Sequence, residues 1–440
     1  MRIEPRFLSS RRFRYSSWLW LRRAVFWGGA LSVGLVAVAF ARAATLADQA
    51  FHVLLSFSPL VVLVLTPAGL WLSLWLTRRV FPGAEGSGIP QTIAALEISD
   101  QKARGKVLSL RLALGKILLT LLALCCGASV GREGPTVQVG AAIMHDLGRW
   151  VRLTRREIQR GLILAGGAAG VAAAFNTPLA GVVFAIEELS RSFEARTNGL
   201  VLTAVILAGI TSLALVGNYH YFGHTDAGME LGQAWVAVLA CGVSGGLLGG
   251  IFSQALILAG RRGLPGSVGR FKARYPERFA AACGLVLALI GLASGGATYG
   301  TGYEQAAQAL HGAAPPLGFA LEKMLATMAS YLSGIPGGIF APSLSIGAGI
   351  GAEWGRWLVG TPAAVLVLLG MVGYFSGVVQ APITAVVIVL EMTDNSNMTI
   401  PLLATSVIAY GVSKLICPEP FYKAMAVAFL ERIGKSKDPV

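Results

Sequence analysis

Nine stretches of the chain contain no Asp, Glu, Lys or Arg: residues 24–41, 53–77, 161–186, 199–225, 231–260, 279–303, 324–352, 357–390 and 395–413. A helix needs about 20 mostly apolar residues to cross a bilayer. Several of the stretches are long enough for more than one helix. They lack the apolar–polar alternation over about ten positions that marks barrel strands. The pattern predicts an all-α polytopic membrane protein. Seven arginines precede Ala24, and the apolar run behind them ends near Ala41-Arg42-Ala43. This imitates a signal peptide, but many further spans follow. Residues 1–23 are therefore read as a basic cytoplasmic or interfacial segment, with Trp18, Trp20 and Phe26 suited to the interface. The first span then begins near Ala24.

Composition narrows the class. The 440 residues are 55% hydrophobic and 13% charged, against about 25% charged in a soluble domain. That excludes a soluble enzyme of ordinary surface and a disordered chain. The net charge of +14 reads as basic cytoplasmic loops, with no nucleic-acid partner. Lysine and arginine gather at 2–23, 78–79, 102–111, 149–160, 191–196, 261–278 and 414–437, whereas the polar loop 217–230 has none. The asymmetry predicts a multi-pass protein of the inner (plasma) membrane with both termini cytoplasmic. Cysteines 125, 126, 241, 283 and 417 lie in or beside apolar segments without CxxC spacing, and His220 and His224 form an isolated pair. Neither pattern makes a metal centre, and no cofactor is expected.

The chain repeats itself. Gly86-Ser87-Gly88-Ile89-Pro90-Gln91 and the residues after it resemble the stretch from Gly300-Thr301-Gly302, at an offset of 214. Gly131-Arg132-Glu133-Gly134-Pro135 falls beside Gly338-Ile339-Phe340-Ala341-Pro342, at an offset of 207. The stretch from Asn176 to Glu187 matches that from Gln380 to Glu391, at an offset of 204. Three matches in one order define two halves, about 50–217 and 231–416. The wider division is a first span within 24–217, an external loop and second repeat over 218–417, and a last helix with a short tail over 418–440. Each repeated block opens with Gly or Pro and continues as an apolar helix. Broken backbone at membrane depth is tolerated where it is buried or lines a cavity. A helix that begins there points unpaired N–H groups and the positive end of its dipole at the cavity. Several such ends make an anion site without a full positive charge, so an anion can bind and still leave.

Single residues carry candidate chemistry. Glu133 lies between two glycines, and the sequence from Ile117 to Gly131 is uncharged. A carboxylate in a span points to function, although charge at a helix N-terminus or pairing with Arg132 would also account for it. Ser87 can donate one hydrogen bond to an anion or can cap the helix that follows. Tyr422 has the alternative reading of an interfacial aromatic. Glu187 has a repeat mate in Glu391, which suggests a structural role. Glu188 has none, because Met392 stands at its mate position.

These motifs, in order and with Tyr422 near the end, resemble the CLC family of chloride channels and chloride/proton exchangers over about residues 50–432. The resemblance implies an inverted-topology repeat of tilted and broken helices, assembled as a homodimer. It implies chloride ligands from Ser87, Tyr422 and the backbone N–H groups of Gly88, Ile339 and Phe340. It makes Glu133 the protonatable gate and Glu188 the internal proton-transfer glutamate, which passive channels usually lack. Ser87 stands where nitrate-preferring members have proline. Fluoride exporters depart from the Gly86–Pro90 pattern and lack the tyrosine. Gln91, Thr92 and Ile93 replace acids found in some bacterial members. The expected function is chloride/proton antiport, with chloride and protons as transported ions in a lipid bilayer. The alternatives are a passive channel of the same fold and, remotely, an intramembrane serine hydrolase using Ser87 or Ser333.

Overall fold

A computed structural model describes residues 6–153, 155–190, 195–217, 221–229 and 234–435. His220 and Arg191 lie outside these, as does the side chain of Trp18. The described residues are helical, with two isolated backbone bridges in place of any sheet. Seven helices are long and apolar enough to span: Arg23–Phe57, Pro59–Arg79, Gln101–Cys125, Arg156–Phe175, Trp235–Arg261, Pro276–Ala293 and Thr399–Ile416. The first of these continues a helix that begins at Arg6. The expected division at Ala24 is a change of charge and not of backbone, because no proline interrupts residues 6–57. Trp20 is exposed, as an interfacial residue would be, but Phe26 is packed inside.

Two of the charge-free stretches are broken at matched positions, each into two helices. Residues 161–186 break at Asn176, where φ is +58°, and restart at Pro178. Residues 357–390 break at Gln380, with φ +59°, and restart at Pro382. The linking residues Thr177 and Ala381 share dihedrals, −126°/83° and −125°/81°. Left-handed φ is uncommon outside glycine, so the same two-residue break at matched positions is not compositional chance. The match extends to Gly86 and Gly300 (φ +64° and +61°) and to the helix caps Gly88 and Gly302 (+100° and +78°).

Packing obeys the same symmetry. The Glu133–Trp150 helix lies on Arg156–Phe175, and Phe340–Gly355 lies on Ala363–Val379. Gly140 meets Gly166 in the first pair, and their repeat mates Gly347 and Gly370 meet in the second. In each case a β-carbon would overlap the facing carbonyl, so small residues set the close approach. Glu187 and Glu391 cap helices across the two halves. Glu187 accepts from the Ile383 and Thr384 amides at 3.2 and 2.6 Å. Glu391 accepts from Leu179 and Ala180 at 3.0 and 2.7 Å. Each carboxylate thus meets the unpaired amides and positive end of the other half's broken helix.

Candidate anion and proton site

Three helix starts are tied together by backbone. Gly131 and Gly338 exchange N–H···O bonds of 2.7 Å. Gly86 donates to Ile335 at 3.2 Å and accepts from Gly337 at 3.1 Å. The blocks beginning at Gly86, Gly131 and Gly338, more than 200 residues apart in sequence at the extremes, therefore converge.

Ser87 precedes the Ile89–Glu97 helix and is 1% exposed. Its hydroxyl makes no hydrogen bond of normal length within the protein, and the polar group it faces is the Tyr422 hydroxyl. A β-carbon at Gly134 would overlap that hydroxyl and lie 2.8 Å from the Ser87 carbonyl, so the two loops touch here because Gly134 has no side chain. Tyr422 is wholly buried and its hydroxyl also lacks a hydrogen-bond partner. The ring stacks on Phe340 at 6.3 Å between centroids, and its hydroxyl faces that of Ser87, with the charges of Glu188 and Glu133 in the surroundings. Phe340 begins the Phe340–Gly355 helix after the cap Ile339, so its amide has no partner within the helix. Its ring is fixed by Phe175, Phe184 and Phe375 at 5.7, 5.9 and 4.5 Å.

Glu133 is 1% exposed at the start of the Glu133–Trp150 helix. Its carboxylate faces the amides of Arg132, Glu133 and Ala341, yet neither oxygen reaches a full hydrogen bond. A β-carbon at Gly131 would overlap Oε2. The Arg132 guanidinium turns away to the Ala41 carbonyl, and the two neighbours form no ion pair among the described residues. Glu188 lies on a π-helical turn, Ala185–Ser190, and is 1% exposed. It is thus a buried acid and not the solvated helix end that its neighbours in sequence would suggest.

The structure therefore groups Ser87, Glu133, Glu188, Ile339, Phe340 and Tyr422. Gly88 is beside them, but its N–H donates to Gln91 Oε1 at 3.0 Å. Lys116 carries no candidate role in the sequence and Gln91 only that of a replaced acid, yet both shape the site. Gln91 Nε2 donates to the Glu85 carbonyl at 2.6 Å. Lys116 Nζ donates to the carbonyls of Glu85 and Gly86 at 3.1 and 2.8 Å. These bonds fix the loop that presents Ser87. Gln91 supplies the return half of a capping box, accepting from the Gly88 N–H, although Gly88 has no side chain to complete it. Lys116 sits in the apolar middle of its helix, five residues beyond Arg111, and that position is visible in the sequence. Ser333 is committed to the Ser330 carbonyl at 2.6 Å, which leaves it poorly suited to nucleophilic chemistry. The five cysteines are free, and no metal-binding cluster occurs among the described residues.

Two cavities flank the group. One, of about 130 Å³, is lined by Ser87, Gln91, Glu85, Lys272 and Arg432. The other, of about 370 Å³, is lined by Arg132, Asp48, His52, Thr301 and Glu304.

The fold is shared with solved structures. A slow cyanobacterial chloride/proton antiporter is 26% identical, with a TM-score of 0.80 over 95% of this chain and 99% of that one. A CLC-type fluoride/proton antiporter is 23% identical, with a TM-score of 0.78 over 92% and 98%. A eukaryotic CLC transporter is 19% identical, with a TM-score of 0.71 over 94% and 74%. The sequence model of the voltage gated chloride channel family matches residues 68–414. That match covers well over half of the chain and all the motif blocks up to the last helix, so the protein belongs to the CLC family.

Proposed function

We propose that the protein exchanges chloride for protons across the plasma membrane. The observation that carries this reading is the Phe340 helix start, with the Glu133 carboxylate at its amides and the Tyr422 ring stacked on Phe340, the Ser87 hydroxyl facing that of Tyr422. Two neutral hydroxyls and helix-end amides hold an anion by partial charge. The Glu133 carboxylate lies among such amides, so it stands where an anion would. Protonation removes its attraction for them, and chloride then takes its place. One side chain in this way gates the anion and carries the proton. Glu188, a second buried acid whose charge acts on Tyr422, supports proton passage from the Ser87 side. The presence of Ser87 and Tyr422, two neutral hydroxyl donors, supports chloride as the anion.

The Ser87 cavity, with Lys272 and Arg432, faces the cytoplasm in this reading, and both termini lie on that side. A homodimer is the proposed assembly. The helices 178–184, 195–216, 382–393 and 399–416 adjoin one another, and they expose Leu179, Ile206, Ile210, Ile383, Ile400 and Val407. A passive channel is the second reading. It is favoured by Gln91, an amide and not an acid, on the wall of the Ser87 cavity.

Purified protein in chloride-loaded liposomes decides between them, with chloride efflux and external pH recorded together and no imposed proton gradient. Protons driven inward as chloride leaves establish exchange. Chloride efflux at constant pH means a channel or an uncoupled exchanger and removes Glu188 from a proton route.

A further inference from the structure

The Arg132 cavity is the repeat mate of the Ser87 cavity. Glu85, Gly86, Ser87, Pro90 and Gln91 line the first. Tyr299, Thr301, Gly302, Glu304 and Gln305, from the matched helix start in the second half, line the other. The mate cavity holds something the Ser87 cavity does not, a carboxylate brought in from the first helix. A β-carbon at Gly300 would overlap Asp48 Oδ1, as one at Gly131 would overlap Glu133 Oε2. Oδ1 is buried without a hydrogen-bond partner, as are both oxygens of Glu133. The two acids are thus packed alike, each against a glycine of a broken-helix motif.

Their surroundings connect them. Ala41, Thr45, Asp48 and His52 recur at spacings of three or four and so share one face of the first helix. Arg132, the neighbour of Glu133, donates to the Ala41 carbonyl on that face and lines the cavity with Asp48. Glu133 itself is shut off from solvent, whereas the Asp48 side chain is 26% exposed. The ionisable groups around Asp48 come from every neighbouring element: His52 with Nδ1 3.7 Å from Oδ2, Cys125, Glu304 and Lys323, and Arg132 with the phenols of Tyr221, Tyr299 and Tyr303.

We propose that Asp48 loads Glu133 with protons: it takes them up in the Arg132 cavity and passes them to the buried carboxylate. The assignment rests on the exchange reading above. In the transfer, the Asp48 carboxylic acid breaks its O–H bond and a proton arrives at Glu133 through cavity water. Asp48 is left as a carboxylate and is recharged from the bulk. The cavity has room for several waters. Such a relay matters when free protons are scarce and becomes redundant when they are abundant.

The test compares wild type, Asp48→Asn and Asp48→Glu as full-length protein in liposomes, with the pH varied on the Arg132-cavity side. Asp48→Asn should slow chloride and proton fluxes together, by about tenfold at about pH 8, with the deficit vanishing near pH 5 and the exchange ratio unchanged. Asp48→Glu should restore the profile. Chloride leak through Glu133→Gln should be indifferent to Asp48→Asn, because that route needs no proton. Equal slowing at every pH with a reduced leak would make Asp48 a packing residue and overturn the proposal, as would an unaltered profile. If Asp48→Asn does not assemble, His52→Gln should shift the same profile, and no shift would overturn it. Failure of the exchange reading is separately visible, since wild type would then move no protons.

Discussion

At the scale of single residues, Ser87, Tyr422 and Glu133 bury side-chain oxygens that no hydrogen bond in the structure satisfies at normal length. An unsatisfied buried hydroxyl costs about 1–3 kcal/mol. The Ser87 and Tyr422 hydroxyls both stand in that condition, which makes opposite predictions for stability and binding. Tyr422→Phe should leave the chloride-free protein as stable as wild type or more so in thermal unfolding. It should also weaken chloride binding by about 1 kcal/mol, roughly fivefold by calorimetry. A purely structural tyrosine would show stability falling and affinity unchanged. Glu133→Gln should pass chloride without protons, as a permanently neutral gate. Gly131→Ala leaves the acid intact but puts a β-carbon onto Oε2 and 3.3 Å from the Ala341 amide. It should displace the carboxylate and loosen the proton-to-chloride ratio toward that of Glu133→Gln. A normal ratio would mean that the carboxylate works from elsewhere. Glu133 was legible in the sequence because a charge in an uncharged span is conspicuous. Glu188 was less so, since neighbouring charges 187 and 191 imitate a solvated helix end and burial is invisible to spacing.

At the scale of elements, the helix breaks are held by reciprocal caps. Each of Glu187 and Glu391 accepts from two amides of the opposite half's helix start. Loss of a cap costs about 0.5–2 kcal/mol, so Glu391→Gln and Glu187→Gln should each lower thermal stability by that order while the anion site keeps its chloride affinity. A large affinity loss in either would show that the caps also set the site. A second clasp ties the 221–229 loop to the end of the Pro382–Thr393 helix. His224 Nε2 lies 2.9 Å from Asp226 and Nδ1 lies 3.1 Å from Asp394. The hydrogen bond to Asp226, then its charge, hold the imidazole above its ordinary value of 6.5. A raised folded value means the clasp is at full strength below 6.5 and weakens as pH rises through the folded value. Proteolysis of this loop should therefore be slower at acidic than at alkaline pH, and His224→Gln should abolish the difference. The breaks at Asn176 and Gln380 were legible from the flanking prolines and the repeat. The unbroken helix 6–57 was not, because clustered arginines mark a membrane surface without ending a helix.

At the scale of the whole molecule, the proposed anion and proton roles assign different tasks to two halves of one design, and a pair of lysines tests the difference. Lys116 and Lys323 are repeat mates at an offset of 207. Both are fully buried. Lys323 Nζ donates to the carbonyls of Thr298, Tyr299 and Gly300 at 2.9, 3.3 and 2.8 Å, as Lys116 does to Glu85 and Gly86. Each ammonium satisfies the carbonyls stranded where the chain turns into a broken helix. Replacement by methionine keeps the stem but strands those carbonyls, at about 1–3 kcal/mol each. Both Lys116→Met and Lys323→Met should therefore lower thermal stability by several kcal/mol. Function should separate them. The Lys116 loop presents Ser87, so its loss should reduce chloride affinity. The Lys323 loop presents Thr301 and packs against Asp48, so its loss should spare chloride affinity and disturb proton loading. Chloride binding and proton flux measured on both variants test this. If the two lose chloride affinity equally, the halves remain functional equivalents, and the division of an anion vestibule from a proton vestibule is wrong.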